Sequence, residues 1–426
     1  LIDLMNVLLI GAGAREHALA WKLARSPILQ KLYIAPGNPG TAECGINVDI
    51  PVSNFPAIAQ LVRKESIHLV VVGPEEPLAN GIRDFFRDQD DLDWVGVIGP
   101  DRSGARLESS KDFAKQFMIR NGIPTAHHQT FTTANEHEAG AFIQSLTPPY
   151  VLKADGLAAG KGVLIVEDPD QALMEIHQMF NGKFGLAGSK VVVEEFLHGI
   201  ELSVFILTDG ESYLLLPEAK DYKRIGEGDT GSNTGGMGAV SPVPFADATF
   251  IEKVKQRIIE PTINGLKSEQ IDYQGFIFFG LMNVNGDPYV IEYNVRMGDP
   301  ESEVVIPRLE TDLLDLFKAV KERRLKDKAV EISQEAAATI MLVSQGYPGT
   351  YEKGFPINGI GHIEDGLVFH AGTIRKDGQL MTNGGRVLAL TAMDHSWTLA
   401  LAKAYEMARL VKFHGMYHRK DIGFDL

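Results

Sequence analysis

The chain has 426 residues, a formal net charge of −15, 44% apolar and 23% charged residues, which is ordinary for a globular protein of two to four domains. The acidity, without any basic stripe, argues against nucleic acid as a partner, and the single cysteine, Cys44, excludes an intrachain disulfide or a cysteine-cluster zinc site. No signal peptide and no apolar run of spanning length is read, so the expectation is a cytoplasmic protein that binds no membrane.

Up to about residue 100, short apolar runs alternate with helical patterns: "NVLLI" (6–10), "KLYIA" (31–35), "HLVVV" (68–72) and "WVGVI" (94–98). Each ends at Gly or Pro, the pattern of buried parallel strands with helical crossovers, which predicts a doubly wound α/β sheet. "SSKDFAKQFMIRNGIPTA" (109–126) predicts a Ser-capped helix stopped by Asn121-Gly122 and Pro124. Next come a helix with Thr133 to Glu136 as a capping box, strands "YVLKA" (150–154) and "GVLIV", a helix capped by Asp168, and the strand pattern "KVVVEEF" (190–196). Strands "LSVFIL" and "YLLLP" lead to a glycine-rich stretch, 221–240, expected as a loop. A helix at about 250–266 precedes two strands around Asn285-Gly286, then a helix at 312–323, the charge run "KERRLKDK", and a final helix near 396–410.

The opening turn, "IGAGAREHALA", has Gly11 and Gly13 but Glu16 where a dinucleotide fingerprint needs its third glycine. The second strand ends in Ala35-Pro36-Gly37 where the ribose-binding acid should stand, so NAD is rejected. Two readings stay open: a tight turn with no ligand, or a phosphate at the helix N-terminus. "PGNPGT" (36–41) and "GPEEPL" (73–78) also follow strand ends and favour the second, as a sugar-phosphate site.

"LKADGLAAGKGV" (152–163) joins two strands through a glycine-rich loop carrying Lys153 and Lys161. Such a loop can fold its amides over a triphosphate while the lysines neutralise it, and no Walker A pattern is present. In "VVVEEFLHGIELS" (191–203), the backbone from Glu194 to Leu197 can meet an adenine and Glu201 can take ribose hydroxyls, although an edge strand with solvated acids reads the same way. In "VIEYNVRMGDPE" (290–301) the period of two puts Glu292, Asn294 and Arg296 on one strand face, two hard oxygen ligands beside a guanidinium.

With "APGNPGTA", "VVGPEEPL", "DYKRIGEGDTGSNTGGMGAVSP", "FHAGT", "TNGGRVL" and "RKDIGF" added, the chain resembles the phosphoribosylamine–glycine ligase (glycinamide ribonucleotide synthetase) family of the ATP-grasp superfamily over essentially its whole length. The resemblance implies an α/β fold, α+β in its core, in three parts: a doubly wound pre-ATP-grasp domain (1–105), a split ATP-grasp core (106–328) with a mobile lid at about 125–195, and a small C-terminal domain (329–426). It implies that Lys111 and Lys153 hold ATP phosphates while the loop Gly156 to Gly162, with Gly160 and Lys161, closes over them. Glu194 and Leu197 would flank adenine, Glu201 would bind ribose, and Lys223 and Asn233 would reach the phosphate end. Glu292 and Asn294 would bind Mg²⁺ or Mn²⁺. Arg296, Lys223 and Asp299 would act on glycine and an acyl phosphate, and Gly11, Gly13, Asn38 and Asp221 would line the phosphoribosylamine side. Small molecules would be the partners of a monomer, and Met5 is expected as the native initiator.

Two positions depart from the family's pattern. Gly280 stands where many ATP-grasp enzymes carry a second metal-binding Glu, and Tyr222 stands where the family's Asp-His-Lys-Arg run has its His. The implied reaction is attack of glycine carboxylate on the γ-phosphate, followed by displacement of phosphate by the amine. Positioning and charge neutralisation suffice for it, without a Ser or Cys nucleophile. The rivals are another ATP-grasp carboxylate–amine ligase and a nucleotide-binding regulator without catalysis.

Overall fold

The computed structural model describes residues 4–157 and 162–426. The first sheet is wholly parallel, with Ile46–Asn47, Leu29–Pro36, Met5–Gly11, Leu69–Val72 and Gly96–Ile98 side by side in that order. Its central strand alternates between two cores: Val7 and Leu9 pack on one face, Leu8 and Ile10 on the other, all fully buried. The doubly wound expectation holds; the two-residue edge strand Ile46–Asn47 was too short for a periodic signal.

A second, antiparallel sheet carries the same two cores onward. Tyr213–Leu215, Ile200–Thr208, Gly275–Val284 and Asp287–Asn294 pair in that order. Phe205, Leu207, Phe276 and Phe278 join the first core, and Val204, Ile206, Ile277 and Phe279 join the second. The hairpin turn is Asn285-Gly286, with φ of 52° and 88°, the doubly left-handed geometry that favours this dipeptide. The helical run behind it spans Ala248 to Ser268 with one wide turn at Lys255–Ile259, just before Pro261, which has no N–H to donate.

His128–Thr132, Lys190–Glu195, Tyr150–Ala154 and Val163–Val166 form a separate four-stranded antiparallel sheet. Helices Ala139–Ser145 and Pro169–Gln178 supply part of its own core with Phe131, Leu152 and Val193. The capping box expected at Thr133–Glu136 is absent. Thr132 N donates instead to Asn135 Oδ1 (2.8 Å), so a turn holds this segment and the helix begins only at Ala139.

The stretch 221–240 is not a loop. Lys220–Asp221 and Gly238–Ser241 are strands of a third sheet, next to Ala336–Val343, Arg386–Asp394 and Leu367–His370, while Arg224–Gly226 and Thr230–Asn233 form a hairpin between them. Glycines mask the alternation that would have revealed these strands. The consequence matters for function, because the C-terminal sheet directly carries the segment with Asp221 and Lys223. No helix among the described residues is long and apolar enough to cross a membrane.

Candidate active site

A cleft of about 710 Å³ opens where the separate four-stranded sheet, the central antiparallel sheet and the 220–235 segment face one another. Lys153 ends the strand Tyr150–Ala154 and is only 5% exposed. Its Nζ lies 3.0 Å from Glu194 Oε1 and donates to the Ile291 carbonyl (3.1 Å). Lys115, on the helix Lys111–Arg120, approaches Glu194 from the other side, 3.0 Å from Oε2, and donates to Thr125 Oγ1 (2.7 Å). Burial pushes the Lys115 ammonium down to about 8 despite the attraction of Glu194. Burial also opposes the Glu194 charge, but the two lysines prevail and hold its carboxyl below the usual range.

Lys111, placed by the Ser110 cap, donates from Nζ to the Gly156 carbonyl (3.1 Å) and so anchors the start of the glycine-rich loop. Gly162 lines the cleft; Gly160 and Lys161 lie outside the described residues. Leu197 lines the cleft beyond Glu194, where the chain leaves the strand Lys190–Glu195 for the central sheet. Glu201 accepts from Lys223 Nζ at 2.7 Å, and Asp221 Oδ1 is 3.5 Å from the same nitrogen. Burial opposes the Lys223 charge, yet Asp221, Glu201 and Glu292 raise its pKa well above the ordinary lysine value. Asn233, at the end of the hairpin, lines the cleft beside this group.

Glu292 and Asn294 end the strand Asp287–Asn294 and both face the cleft. Arg296 follows just beyond it. Its Nη2 donates to Asn294 Oδ1 (3.0 Å) and pairs with Glu108 Oε1 (2.6 Å), while Nε lies 3.7 Å from Glu75 Oε2. Two acids on helices of the N-terminal half, one of them in the "GPEEPL" motif, therefore aim this guanidinium. Asp299 Oδ2 pairs with Arg386 Nη2 at 2.9 Å. Glu301 lies at the same end of the cleft and accepts from Ser203 Oγ (3.0 Å); burial first, then Asp221, push its carboxyl up to about 7.

Glu292 fits a hard cation. Among the described residues its carboxylate has no hydrogen-bond or ion-pair partner, and it opens to the cleft with the Asn294 amide two residues on. Gly280 faces Glu292 across the strand pair and offers no ligand; a Cβ there would lie 3.0 Å from Glu292 Cγ. Among the described residues no cluster of three His, Cys, Asp or Glu could hold a metal by itself, so the protein supplies few ligands. Tyr222 turns away from the cleft: 1% exposed, it donates to Asp425 Oδ1 (3.0 Å) beneath the Arg419 guanidinium.

The opening turn differs from expectation. Gly13 N donates to Glu16 Oε2 (2.6 Å), and Glu16 Oε1 pairs with Arg15 Nε (2.6 Å). At Gly11, φ is +128° and a Cβ would lie 2.4 Å from Glu16 Cγ, so the glycine is needed for the close approach of that side chain. The carboxylate that replaces the third glycine thus caps the N–H of Gly13 at the start of the helix Ala14–Leu23. Asn38 is spent on the main chain, donating from Nδ2 to the Ala12 and His370 carbonyls (2.9 and 2.7 Å) and accepting at Oδ1 from Gly40 N (2.8 Å). Gly11 and Asn38 therefore shape the wall rather than the cleft surface. Gly13 comes nearer, since a Cβ there would lie 3.6 Å from Asp299 Oδ2.

Lys115, Glu75, Glu108, Glu301 and Arg386 escaped the sequence reading. Lys115, Glu75 and Glu301 sit in motifs quoted above for other residues, Glu108 immediately precedes one, and Arg386 lies in "TNGGRVL", whose contact with Asp299 spans 87 positions.

Three domains of phosphoribosylglycinamide synthetase match this chain: N at 5–108, ATP-grasp (A) at 109–302 and C at 337–425. The chain belongs to this family. It is 46% identical to the phosphoribosylamine–glycine ligase of Chlorobaculum tepidum, covering 98% of this chain and 99% of that one. It is 45% identical to the enzyme of that name from Agrobacterium fabrum, with 99% and 98% covered. The crystal structure of phosphoribosylamine–glycine ligase from Thermotoga maritima superposes with a TM-score of 0.85 at 36% identity, covering 98% of this chain and 99% of that one. The ATP-grasp match at 109–302 covers both the separate four-stranded sheet and the central sheet that flank the cleft.

Proposed function

We propose that this chain joins glycine to 5-phosphoribosylamine with ATP, through glycyl phosphate, releasing glycinamide ribonucleotide, ADP and phosphate. The observation that carries the reading is the set of charges lining one cleft. Lys111, Lys115 and Lys153 line it together with Asn294, Arg296, Asp299 and Glu292, whose carboxylate has no hydrogen-bond or ion-pair partner among the described residues. A triphosphate laid along it has its α and β oxygens by the lysines and its γ-phosphate by Arg296 and Lys223. Glu292 and Asn294 would hold Mg²⁺ or Mn²⁺, which would supply positive charge beside the transferring group.

The chain's own residues then account for each step. Lys111 and Lys153 bind the phosphates; Leu197 and the Glu194 segment meet adenine; Glu201 takes ribose hydroxyls when Lys223 moves toward phosphate. Arg296, aimed by Glu75 and Glu108, balances the charge that develops as glycine carboxylate attacks phosphorus. Asp299, beside Gly13, holds the amine side, with Asp221 across the cleft. The glycine-rich loop excludes water from an acyl phosphate that water would hydrolyse. Working domains of 1–105, 106–328 and 329–426, a lid at about 125–195, a monomeric state and a cytoplasmic setting belong to the same reading.

The test is an assay with ATP, glycine and phosphoribosylamine made in situ. The expected products are ADP and phosphate in equal amounts with glycinamide ribonucleotide, with full turnover only when both acceptors are present. AMP as product would mean attack at the α-phosphate and overturn the reading, as would full ATP consumption with a different acid.

A further inference from the structure

Glu194 is shared by two buried lysines, and only one of them is needed to neutralise it. Lys153 and Lys115 each lie 3.0 Å from a different oxygen of the same carboxylate, and their side chains are 7% and 2% exposed. The trio carries one surplus positive charge on largely buried side chains that border the cleft, and an anion entering the cleft would balance it. The two lysines are not equivalent. Lys153 ends a strand at the cleft, and its other partner is a single main-chain carbonyl, Ile291. Lys115 is fixed in a helix and tied to Thr125, whose hydroxyl is in turn held by the Val290 carbonyl (2.7 Å). One lysine is free to leave and the other is not.

We propose that Lys115 is a positioning residue for nucleotide binding: it keeps the Glu194 carboxylate neutralised, so that Lys153 can pass from Glu194 to a phosphate of ATP. This rests on the ATP reading above and extends it to a residue that need never touch the nucleotide. Without Lys115, moving Lys153 to the phosphate strands a buried carboxylate with no counter-charge, so Lys153 stays on Glu194 and the phosphate loses its ligand. Removing the Glu194 charge at the same time frees Lys153 again. A residue that merely fills space would show no such dependence on Glu194.

The experiment measures binding of a non-hydrolysable ATP analogue by calorimetry to the full chain and to K115M, K115R, E194Q and K115M/E194Q, with thermal unfolding as a control. K115M should weaken binding at least tenfold, K115R less than threefold, and K115M/E194Q should recover to within threefold of E194Q. Equal weakening in K115M and K115M/E194Q overturns the proposal, because the loss would then not run through Glu194. Binding unchanged in K115M overturns it too. Should K115M fail to fold, K115Q is read by the same criteria. If the wild-type chain itself does not bind the analogue, the ATP reading falls. If it binds but the double variant does not recover, only the assignment of Lys115 falls.

Discussion

Arg386 reaches out of the C-terminal sheet to clasp Asp299, Nη2 to Oδ2 at 2.9 Å and Nη1 to the Asp299 carbonyl at 3.0 Å. The same Nη1 donates to the Gly235 carbonyl, so one guanidinium ties the "NTGG" loop to the "GDP" turn. Lysine cannot reproduce this fork. R386K is expected to lose about 10- to 100-fold in kcat/KM for glycine and for the amine, the effect of one or two charged hydrogen bonds at about 1.5–3 kcal/mol. The KM for ATP should change far less, because Asp299 meets Arg386 and the Gly13 turn and has no contact with Lys111, Lys115 or Lys153. Steady-state kinetics in each substrate checks this; an equal loss for all three would place Arg386 in general stability instead.

The metal assignment predicts a graded response. E292Q removes the charged ligand and should raise the Mg²⁺ concentration for half-maximal activity by roughly tenfold or more, with lower kcat. N294A should shift it less, but it also frees Arg296 Nη2, which Asn294 Oδ1 engages at 3.0 Å, so kcat should fall more than the metal affinity. A Mg²⁺ titration of each variant decides; an unchanged midpoint in E292Q removes Glu292 from the site.

Much of the cleft was legible because each of its strands ends in a short, chemically loud motif. Glu292, Asn294 and Arg296 follow from a period of two, and Lys153 follows from a strand that runs into glycines. What stayed hidden was reciprocity. Arg296 could be named from its own motif, but not that Glu75 and Glu108, 221 and 188 positions away by numbering, would aim it. The capping of the Gly13 N–H by Glu16 stayed hidden for a related reason: the motif shows the acid but not which amide it meets. The strands within 220–241 were hidden by their glycines, and with them the contribution of the C-terminal sheet to the site.

The lid sheet has its own core and joins the rest through the 125–127 and 196–199 segments, so it is expected to move as one body. Hydrogen exchange in 156–162 and in the strand Val163–Val166 should slow when an ATP analogue binds, while Leu9 and Ile10 in the first sheet stay unchanged. Equal exchange in the lid with and without nucleotide would count against closure.

The seam between the first and third sheets predicts a specific acid sensitivity. His17 on the helix Ala14–Leu23 is 5% exposed and accepts at Nδ1 from the His370 main-chain N–H (2.8 Å), with Phe369 against its ring. Burial first, then His370, holds the imidazole down to about 3; burial and then Arg375 hold His370 down to about 4. Both rings are therefore neutral in the folded protein and titrate near 6.5 when unfolded. Below pH 6.5 the unfolded chain takes up protons that the folded one does not, so stability is full above 6.5 and falls as the pH drops toward 4. At about 1.4 kcal/mol per unit, each ring contributes on the order of 3 kcal/mol of loss across that window. H17Q keeps an acceptor for the His370 N–H but cannot titrate, so it should flatten the decline by about half of the two-ring effect. Urea unfolding of both proteins at pH 7.5, 6.5, 5.5 and 4.5 measures the difference directly. Parallel curves would mean that His17 does not stay neutral in the seam.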